Sequence, residues 1–383
     1  MSVKKIRWSR LLGILAPLVL ASAAAAGNLH ASDAKLEKLA GRLLVVGFYG
    51  TSAPADSAIC RAIRRYDLGG VILFDRDPIH AGRAKNISSP AQLKKLTKEL
   101  QECSPKHRLL IAVDEEGGAV QRLKKKNGFS GNYPRASAVA AKGPRFAQRI
   151  YNKMASELSR AGVNFDLAPV VDLALNPKNR VIVRWGRSYG KDPQAVARYA
   201  GIFIEAMHRR GILTSLKHFP GHGSSTGDTH KGFVDVSKEW KPIELEPYRR
   251  LIHSGRVDTI MVAHIFNRRI DAKYPASLSP RVIGGLLRKR LGYRGVVMTD
   301  DLQMGAITQK YTLRETIRLA IAAGDDLLLF GNQLDPERIY SPKKLVAQIV
   351  GLLREGKISM QRLEESGRRI ERMKKHAGLG EEK

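Results

Sequence analysis

The chain has 383 residues, of which 43% are hydrophobic, so it can bury a large core and is not globally disordered. Its formal net charge of +30 produces a strong cationic field that attracts polyanions. The basic residues are spread along the chain without the interleaved aromatics of nucleic-acid motifs, so we expect no nucleic-acid partner.

The N-terminal segment, residues 1–26, has the layout of an export signal. Its four basic residues are Lys4, Lys5, Arg7 and Arg10. The apolar run LLGILAPLVLASA follows them, and a run of small residues comes next. This order predicts a signal peptide cleaved near residues 23–26 and an exported, periplasmic protein. An uncleaved membrane anchor is the alternative, although the apolar run is short for a membrane span.

The charge suggests a partner for an exported protein. Removal of the four basic residues of the signal segment leaves 30 − 4 = +26, a charge that favours electrostatic association with an anionic cell envelope. A basic surface that is merely solvated explains the composition equally well.

From residue 34 onward, short apolar runs alternate with amphipathic stretches. The runs are rich in Val, Ile and Leu without strict alternation, which is typical of strands buried on both faces of a parallel sheet. They lie at 43–50, 69–74, 108–114, 163–173, 212–219, 258–265, 295–301 and 326–330. Stretches with apolar residues at i, i+3 and i+4 predict helices between them, for example at 91–103, 145–162, 193–211 and 314–324. Eight such units predict a (β/α)8 TIM-type barrel, an α/β fold, in a single domain at 34–383; a doubly wound open sheet is the alternative.

Two cysteines, Cys60 and Cys103, lie in the predicted helical segments AICRAIRRY and LTKELQECS. They could form a disulfide in an oxidising compartment. The sequence does not give the separation of their Cα atoms, so two buried free thiols are the alternative.

Polar clusters follow several predicted strands, at the end where a barrel places its functional residues. VDEEGG ends the third strand, KHFPGHG ends and follows the fifth, AHIFNR ends the sixth and TDD ends the seventh. The segment 217–230, KHFPGHGSSTGDTH, is compatible with a metal site, a catalytic acid/base loop or a plain polar loop. Pro220 and a glycine interrupt the spacing between His218 and His222, so these two do not form a helical ligand pair and we expect no metal.

Taken together, these motifs resemble the bacterial β-N-acetylglucosaminidases of glycoside hydrolase family 3. KHFPGHG, four residues and then DTH resembles the family's KHFPGHG(x4)DSH loop, and VDEEGGAVQRL resembles its DQEGGRVQRL. GRSYGKDP and LGYRGVVMTDDLQMGAI resemble further segments, in the family's order. The resemblance covers nearly all of the chain after the N-terminal segment. It implies a retaining, exo-acting enzyme without a cofactor that removes terminal GlcNAc from a glycan or a peptidoglycan-derived muropeptide. We also expect a monomer.

The resemblance implies a role for each matching residue. Asp300 would be the nucleophile, His230 the acid/base and Asp228 its partner; the residues alone do not separate Asp300 from Asp301, which could cap the next helix. Substrate contacts are implied for Asp114, Arg122, Arg187, Lys217 and His218. The glycines at 221, 223 and 227 predict a mobile loop that closes over substrate.

Two departures from the family pattern bear on specificity. Glu115 stands where the family usually has Gln, and Ala119 where it has Arg. A third departure, Thr229 in place of Ser, is a mild change in the loop that carries His230. We expect the added carboxylate and the lost cation to lie near the pocket and to change subsite preference.

Four other functions are open. A β-N-acetylglucosaminide phosphorylase is one, since a histidine acid/base does not repel phosphate. A β-glucosidase or β-xylosidase, a metal-dependent hydrolase and a non-catalytic cell-wall-binding protein are the others.

Overall fold

The computed structural model describes residues 33–80, 82–104 and 109–379, so the predicted signal segment lies outside the described residues. Its strands lie where the apolar runs predict them. They are β1 Leu44–Gly47, β2 Gly70–Ile72, β3 Leu110–Val113, β4 Phe165–Asp166, β5 Leu213–Phe219, β6 Thr259–Val262, β7 Val296–Thr299 and β8 Leu328–Phe330.

Helices separate most of the strands. They are α1 at 33–42, α2 Ala58–Tyr66, α3 Pro90–Glu102, α4 Ala136–Ala141, α5 Pro144–Arg160, α6 Pro193–His208, α7 Glu246–His253, α8 Arg281–Arg290 (a π-type helix), α9 Gly305–Thr308, α10 Leu313–Ala323, α11 Pro342–Arg354 and α12 Met360–His376. Short 3-10 turns lie at Lys125–Asn127, Pro242–Leu245 and Ala276–Leu278.

Many helices begin where a polar side chain can accept a hydrogen bond from a free backbone N–H. Ser89 caps α3 by accepting from the N–H of Gln92, and Thr312 forms a reciprocal capping box with Glu315 at the start of α10. The sequence therefore determines where these helices start, while burial of one apolar face determines what they pack against.

All paired neighbours in the sheet are parallel, in the order β7-β6-β5-β4-β3-β2-β1-β8. A further parallel bridge between Met298 and Leu327 joins β7 to β8 and brings the two ends of the sheet together. The predicted (β/α)8 barrel is therefore confirmed, and the open-sheet alternative is wrong.

Apolar side chains fill the interior of the barrel, including Val45, Phe165 and Met298. Met373 and Leu379 from the end of the chain belong to the same cluster. The C-terminal segment thus packs against the barrel interior, and a second, larger core lies between the strands and the surrounding helices.

Cys60 in α2 and Cys103 just after α3 form a disulfide, with their Cα atoms 5.3 Å apart. This decides between the two sequence-based alternatives in favour of pairing. Among the described residues, no helix is both long and apolar enough to cross a membrane.

Candidate active site

A cavity of about 400 Å³ opens at the carboxyl ends of the strands. This is the end where the polar clusters were expected, and we call it the upper cavity. Seven of the eight predicted site residues line it: Asp114, Arg122, Arg187, Lys217, His218, His230 and Asp300. The eighth, Asp228, contacts His230.

The floor of the upper cavity is a network of charged side chains. Lys217 Nζ lies 2.9 Å from Asp114 Oδ1 and 2.7 Å from Glu116 Oε1. Arg187 makes a two-pronged pair with Glu116, with both N–O distances at 2.7 Å. Arg122 donates to the other oxygen of Asp114 at 3.1 Å. Sharing carboxylates in this way fixes the directions of all five side chains.

Mutual pairing keeps this floor ionised. Burial alone would raise the pKa of Asp114, but Lys217 and Arg122 lower it below its ordinary value. Burial would likewise raise the pKa of Glu116, and Arg187 and Lys217 lower it strongly. For Lys217, burial would lower the pKa, whereas Asp114 and Glu116 raise it. The cavity therefore presents fixed carboxylate acceptors and cationic donors, which suit the hydroxyl groups of a sugar.

Asp172, at the end of the predicted fourth strand, orients His218. Its Oδ2 lies 2.7 Å from His218 Nδ1, and its Oδ1 accepts hydrogen bonds from the N–H groups of His218 and His222 at 3.2 and 2.8 Å. The other ring nitrogen of His218 lies 3.5 Å from Arg187, beside the charged floor. Asp172 is a site residue that was not predicted from the sequence, although its place at a strand end is a signal that could have found it.

His222 is a buried loop residue that also lines the upper cavity. Its Nδ1 lies 2.6 Å from Ser225 Oγ, while its Nε2 has no hydrogen-bond partner in the described part of the chain. Burial lowers the pKa of His222 to about 4, so the ring is neutral near pH 7.

Asp300 follows β7 directly and carries a negative charge. Its Oδ1 accepts a hydrogen bond from the Asp301 N–H at 2.8 Å, and it makes no ion pair with any described residue. Burial would raise the pKa of Asp300, but the nearby His264, His218 and His230 lower it to about 2. An ionised carboxylate without a salt-bridge partner is a competent nucleophile.

Asp301 has a local structural role, as expected for the second aspartate of this pair. Its Oδ1 accepts from the N–H groups of Gln303 and Gly331 at 3.0 and 3.3 Å, which ties the turn after β7 to the end of β8. The buried His264 holds the Asp301 carbonyl oxygen at 2.9 Å and contacts Ser277 at 2.7 Å. Burial raises the pKa of Asp301 to about 6, unlike that of its neighbour.

The loop after β5 brings His230 to the upper cavity. Asp228 Oδ1 lies 2.8 Å from His230 Nδ1 and also accepts from the His230 N–H at 3.0 Å. Burial would raise the pKa of Asp228, but its bonds to His230 lower it. The carbonyl oxygens of Thr229 and His230 accept from the N–H groups of Ala306 and Gly305, so the loop is docked on the segment that follows Asp300.

The glycines of this loop have a structural reason that the sequence analysis did not give. A Cβ on Gly223 would lie 1.7 Å from the Leu173 carbonyl oxygen, and one on Gly227 would lie 2.7 Å from a Val234 methyl group. Gly221 has φ +118°. Close packing and an unusual backbone angle therefore require glycine here, and loop mobility stays a prediction.

Two polar residues that the sequence analysis missed anchor the same loop. Asn179 donates to the His222 carbonyl oxygen at 2.8 Å, and Glu244 accepts from the Gly223 N–H at 3.0 Å and from Ser224 Oγ at 2.5 Å. Both lie far from the loop in the chain, and only the fold brings them to it.

Glu115 does not contribute its carboxylate to the pocket, contrary to what the sequence predicts. Its side chain is fully buried and does not line the upper cavity, because successive residues after β3 point to opposite sides. It instead accepts hydrogen bonds from the N–H groups of Arg122 and Leu123. Ala119 does line the cavity, so of the two departures this one bears on subsite preference.

Within residues 33–80, 82–104 and 109–379, no group of three or more His, Cys, Asp or Glu side chains is arranged to hold a metal ion. The Nδ1 atoms of His218 and His230 face carboxylates at 2.7 and 2.8 Å.

Comparison with known proteins agrees with this geometry. The family model described as "Glycosyl hydrolase family 3 N terminal domain" matches residues 35–373. Beta-hexosaminidase A of Pseudoalteromonas piscicida is 30% identical over 90% of this chain and 62% of its own length. Beta-hexosaminidase of Xylella fastidiosa is 35% identical over 75% of this chain and 82% of its own length.

A solved structure is similar over the same region. The glycoside hydrolase family 3 beta-N-acetylglucosaminidase from Paenibacillus sp. str. FPU-7 has a TM-score of 0.79 and 34% identity, covering 90% of this chain and 63% of that one. This chain thus spans less than two thirds of the length of that protein and of the Pseudoalteromonas relative. The barrel, the loop that carries His230 and the match over residues 35–373 together establish that the chain belongs to glycosyl hydrolase family 3.

Proposed function

We propose that the protein is an exo-acting, retaining β-N-acetylglucosaminidase that removes terminal GlcNAc from peptidoglycan-derived muropeptides. The observation that carries this proposal is that two chemically different groups, a carboxylate and an imidazole, line the same cavity. Asp300 is an ionised carboxylate that makes no ion pair with the described residues, and His230 is a titratable ring held at 2.8 Å by Asp228. Retaining hydrolysis needs one nucleophile and one proton donor.

The reaction divides into two balanced steps. Asp300 attacks the anomeric carbon and forms a glycosyl ester while the bond to the leaving oxygen breaks, and His230 gives that oxygen its proton. His230 then takes a proton from water, the resulting hydroxide attacks the anomeric carbon, and Asp300 leaves as a carboxylate. Asp228 stabilises the imidazolium form of His230 that exists before the first step and after the second.

The charged floor supports recognition of a terminal sugar. Asp114 can accept hydrogen bonds from sugar hydroxyls, and Arg122, Arg187, Lys217 and His218 can donate or share them. Because Lys217 and Glu116 close the cavity toward the barrel interior, a glycan would enter by its end and not by its middle. The name of the Paenibacillus relative, a beta-N-acetylglucosaminidase, supports GlcNAc as the sugar removed, and the name of the Xylella relative, a beta-hexosaminidase, supports a hexosamine.

We propose further that the enzyme is exported and works at the cell envelope as a monomer. The Cys60–Cys103 disulfide supports an oxidising compartment. The charge of 30 − 4 = +26 that remains without the signal segment supports contact with an anionic envelope. The upper cavity holds the proposed nucleophile and acid/base together, so the proposed chemistry needs no residue from a second copy.

The test measures release of p-nitrophenol from the β-N-acetylglucosaminide and from the β-glucoside. We expect turnover of the N-acetyl substrate by the wild type and a loss of about 10⁴-fold or more in Asp300→Ala. An activated fluorinated GlcNAc glycoside should label Asp300, which mass spectrometry of the intact protein and its peptides would show. Asp192→Ala, which changes an exposed helix cap, is the matched control and should keep full activity.

Other outcomes would redirect the proposal. Turnover of the glucoside alone would discard GlcNAc as the substrate, and turnover of neither would favour a binding protein. Formation of GlcNAc-1-phosphate, with turnover that rises on addition of phosphate, would make the protein a phosphorylase. Release of GlcNAc from a purified muropeptide tests the natural substrate.

A further inference from the structure

A second cavity, of about 490 Å³, lies at the opposite end of the barrel from the upper cavity. Its walls come from the turns that precede β5, β6 and β7 and from the last turns of α12. We call it the basal cavity. None of the residues proposed for catalysis or sugar binding contributes to it.

Three exposed arginines from separate segments border the basal cavity. Arg256 precedes β6, Arg294 precedes β7 and Arg372 lies on α12. None of the three makes an ion pair or a side-chain hydrogen bond with the residues that the structure describes. Three guanidinium groups of like charge around one cavity repel one another, and an anion between them would relieve that repulsion.

The carboxylate in this lining is already occupied. Asp258 Oδ2 lies 2.7 Å from His208 Nε2 and accepts from the N–H and the hydroxyl of Thr214, both at 2.9 Å. These three contacts hold Asp258 to α6 and β5, and among the described residues it makes no ion pair with Arg256, Arg294 or Arg372.

The wall behind the cavity adds positive charge. Arg369 lines the cavity and shares the fully buried Asp326 with Arg288 and Arg362, at N–O distances of 3.0, 2.8 and 3.2 Å. Arg369 also lies 3.9 Å from the partly exposed Glu365, so three cations meet two carboxylates and one positive charge remains. Burial raises the pKa of the adjacent Asp325 well above its ordinary value, which favours the neutral form of this carboxyl.

We propose that the basal cavity is a binding site for a phosphoryl group, carried either on a small soluble molecule or on the headgroup of an anionic lipid. Guanidinium forks match phosphate oxygens in pairs, and a phosphoryl group offers several oxygens to donors that approach from different segments. The cavity offers such a group a concave binding site, which arginines scattered over a flat surface do not offer. This site is independent of the proposed hydrolysis, because it lies at the other end of the barrel.

The test compares two triple variants that remove the same charge. One replaces the three unpaired arginines of the basal cavity by alanine, as Arg256→Ala, Arg294→Ala and Arg372→Ala. The matched control replaces three exposed arginines outside both cavities, as Arg145→Ala, Arg198→Ala and Arg281→Ala. Calorimetry with inorganic pyrophosphate measures the soluble ligand, and sedimentation with phosphatidylcholine vesicles containing phosphatidylglycerol measures the lipid.

The basal-cavity variant should bind at least one probe about tenfold more weakly than the wild type, and the control should differ by less than about twofold. A selective loss with pyrophosphate alone identifies a soluble ligand, and a selective loss with vesicles identifies a headgroup. Equal weakening of probe binding in both variants would show that binding depends only on general surface charge and would overturn the proposal. Absence of binding of either probe by the wild type would also overturn it. Thermal unfolding and sugar hydrolysis of both variants establish that they fold.

Discussion

Glu115 is a carboxyl group that the fold buries completely, and its replacement by Gln should stabilise the protein at neutral pH. Its Oε2 accepts hydrogen bonds from the N–H groups of Arg122 and Leu123 at 2.7 and 3.0 Å, whereas its Oε1 has no partner among the described residues. Burial raises the pKa of Glu115 from 4.5 to about 8. At pH 7 the folded protein therefore keeps a proton that the unfolded chain has released.

Proton linkage gives the size of the effect. Below pH 4.5 Glu115 is protonated in both the folded and the unfolded protein, so its contribution to the free energy of unfolding is fully present there. As the pH rises from 4.5 to about 8, the unfolded chain releases the proton while the folded protein keeps it, and this contribution is lost. The loss is about 1.4 kcal/mol for each pH unit, which comes to about 3 kcal/mol at pH 7. Glutamine keeps the acceptor but adds an amide N–H₂ without a partner, at a cost of about 1 kcal/mol. We expect Glu115→Gln to gain about 2 kcal/mol at pH 7 and to lose about 1 kcal/mol at pH 4.5.

Urea unfolding followed by tryptophan fluorescence at pH 4.5, 6, 7 and 8 measures this difference. Glu239→Gln changes an exposed carboxyl and serves as the control, with a difference near zero at every pH. A gain of the same size at pH 4.5 and pH 7 would refute the reasoning, because it could not come from a proton held only in the folded state. A loss at pH 7 would show that Glu115 is ionised in the folded protein.

Three further predictions concern the catalytic loop and the disulfide. Asp228→Asn should lower kcat on the N-acetyl substrate by about 10²-fold, because an amide cannot balance the charge of His230; an unchanged kcat would remove Asp228 from the mechanism. Replacing Cys60 and Cys103 by serine should lower the free energy of unfolding by up to about 4 kcal/mol, since the bridge spans 43 residues; urea unfolding without reductant tests this. Gly223→Ala should abolish hydrolysis while far-UV circular dichroism keeps the barrel signal, because the new Cβ would lie 1.7 Å from a backbone carbonyl oxygen.

The sequence predicts the positions of the strands well because burial on both faces gives each strand an unbroken apolar run. The same pattern marks the strand ends, so the sequence alone predicts that Asp114, Lys217 and Asp300 lie at one end of a barrel. Period-two geometry also sends alternate residues to opposite faces, and the sequence does not say which member of DEE faces the cavity. Glu115 was therefore expected in the pocket, although Asp114 and Glu116 line it.

The spacing of residues in the sequence does not predict contacts between segments that are distant in the chain. Asn179 and Glu244 hold the loop near His222, yet each lies in an ordinary polar stretch of sequence. The cysteine pairing depends on how α2 and α3 pack, so the sequence leaves both alternatives open. The basal cavity is formed by turns that are far apart in the chain. In the sequence, each of its arginines taken alone indicates only a solvated surface residue.

The disulfide also changes what a protease could do to the protein. It closes a covalent ring that contains β2, the exposed residues Arg76 and Arg83, and α3. A cut after either arginine would leave both pieces joined through the sulfurs, with β2 still paired to β1 and β3. A nicked molecule would run as one chain without reductant and as two with it. In the exported enzyme that we propose, this ring would separate cleavage of the backbone from loss of the barrel wall.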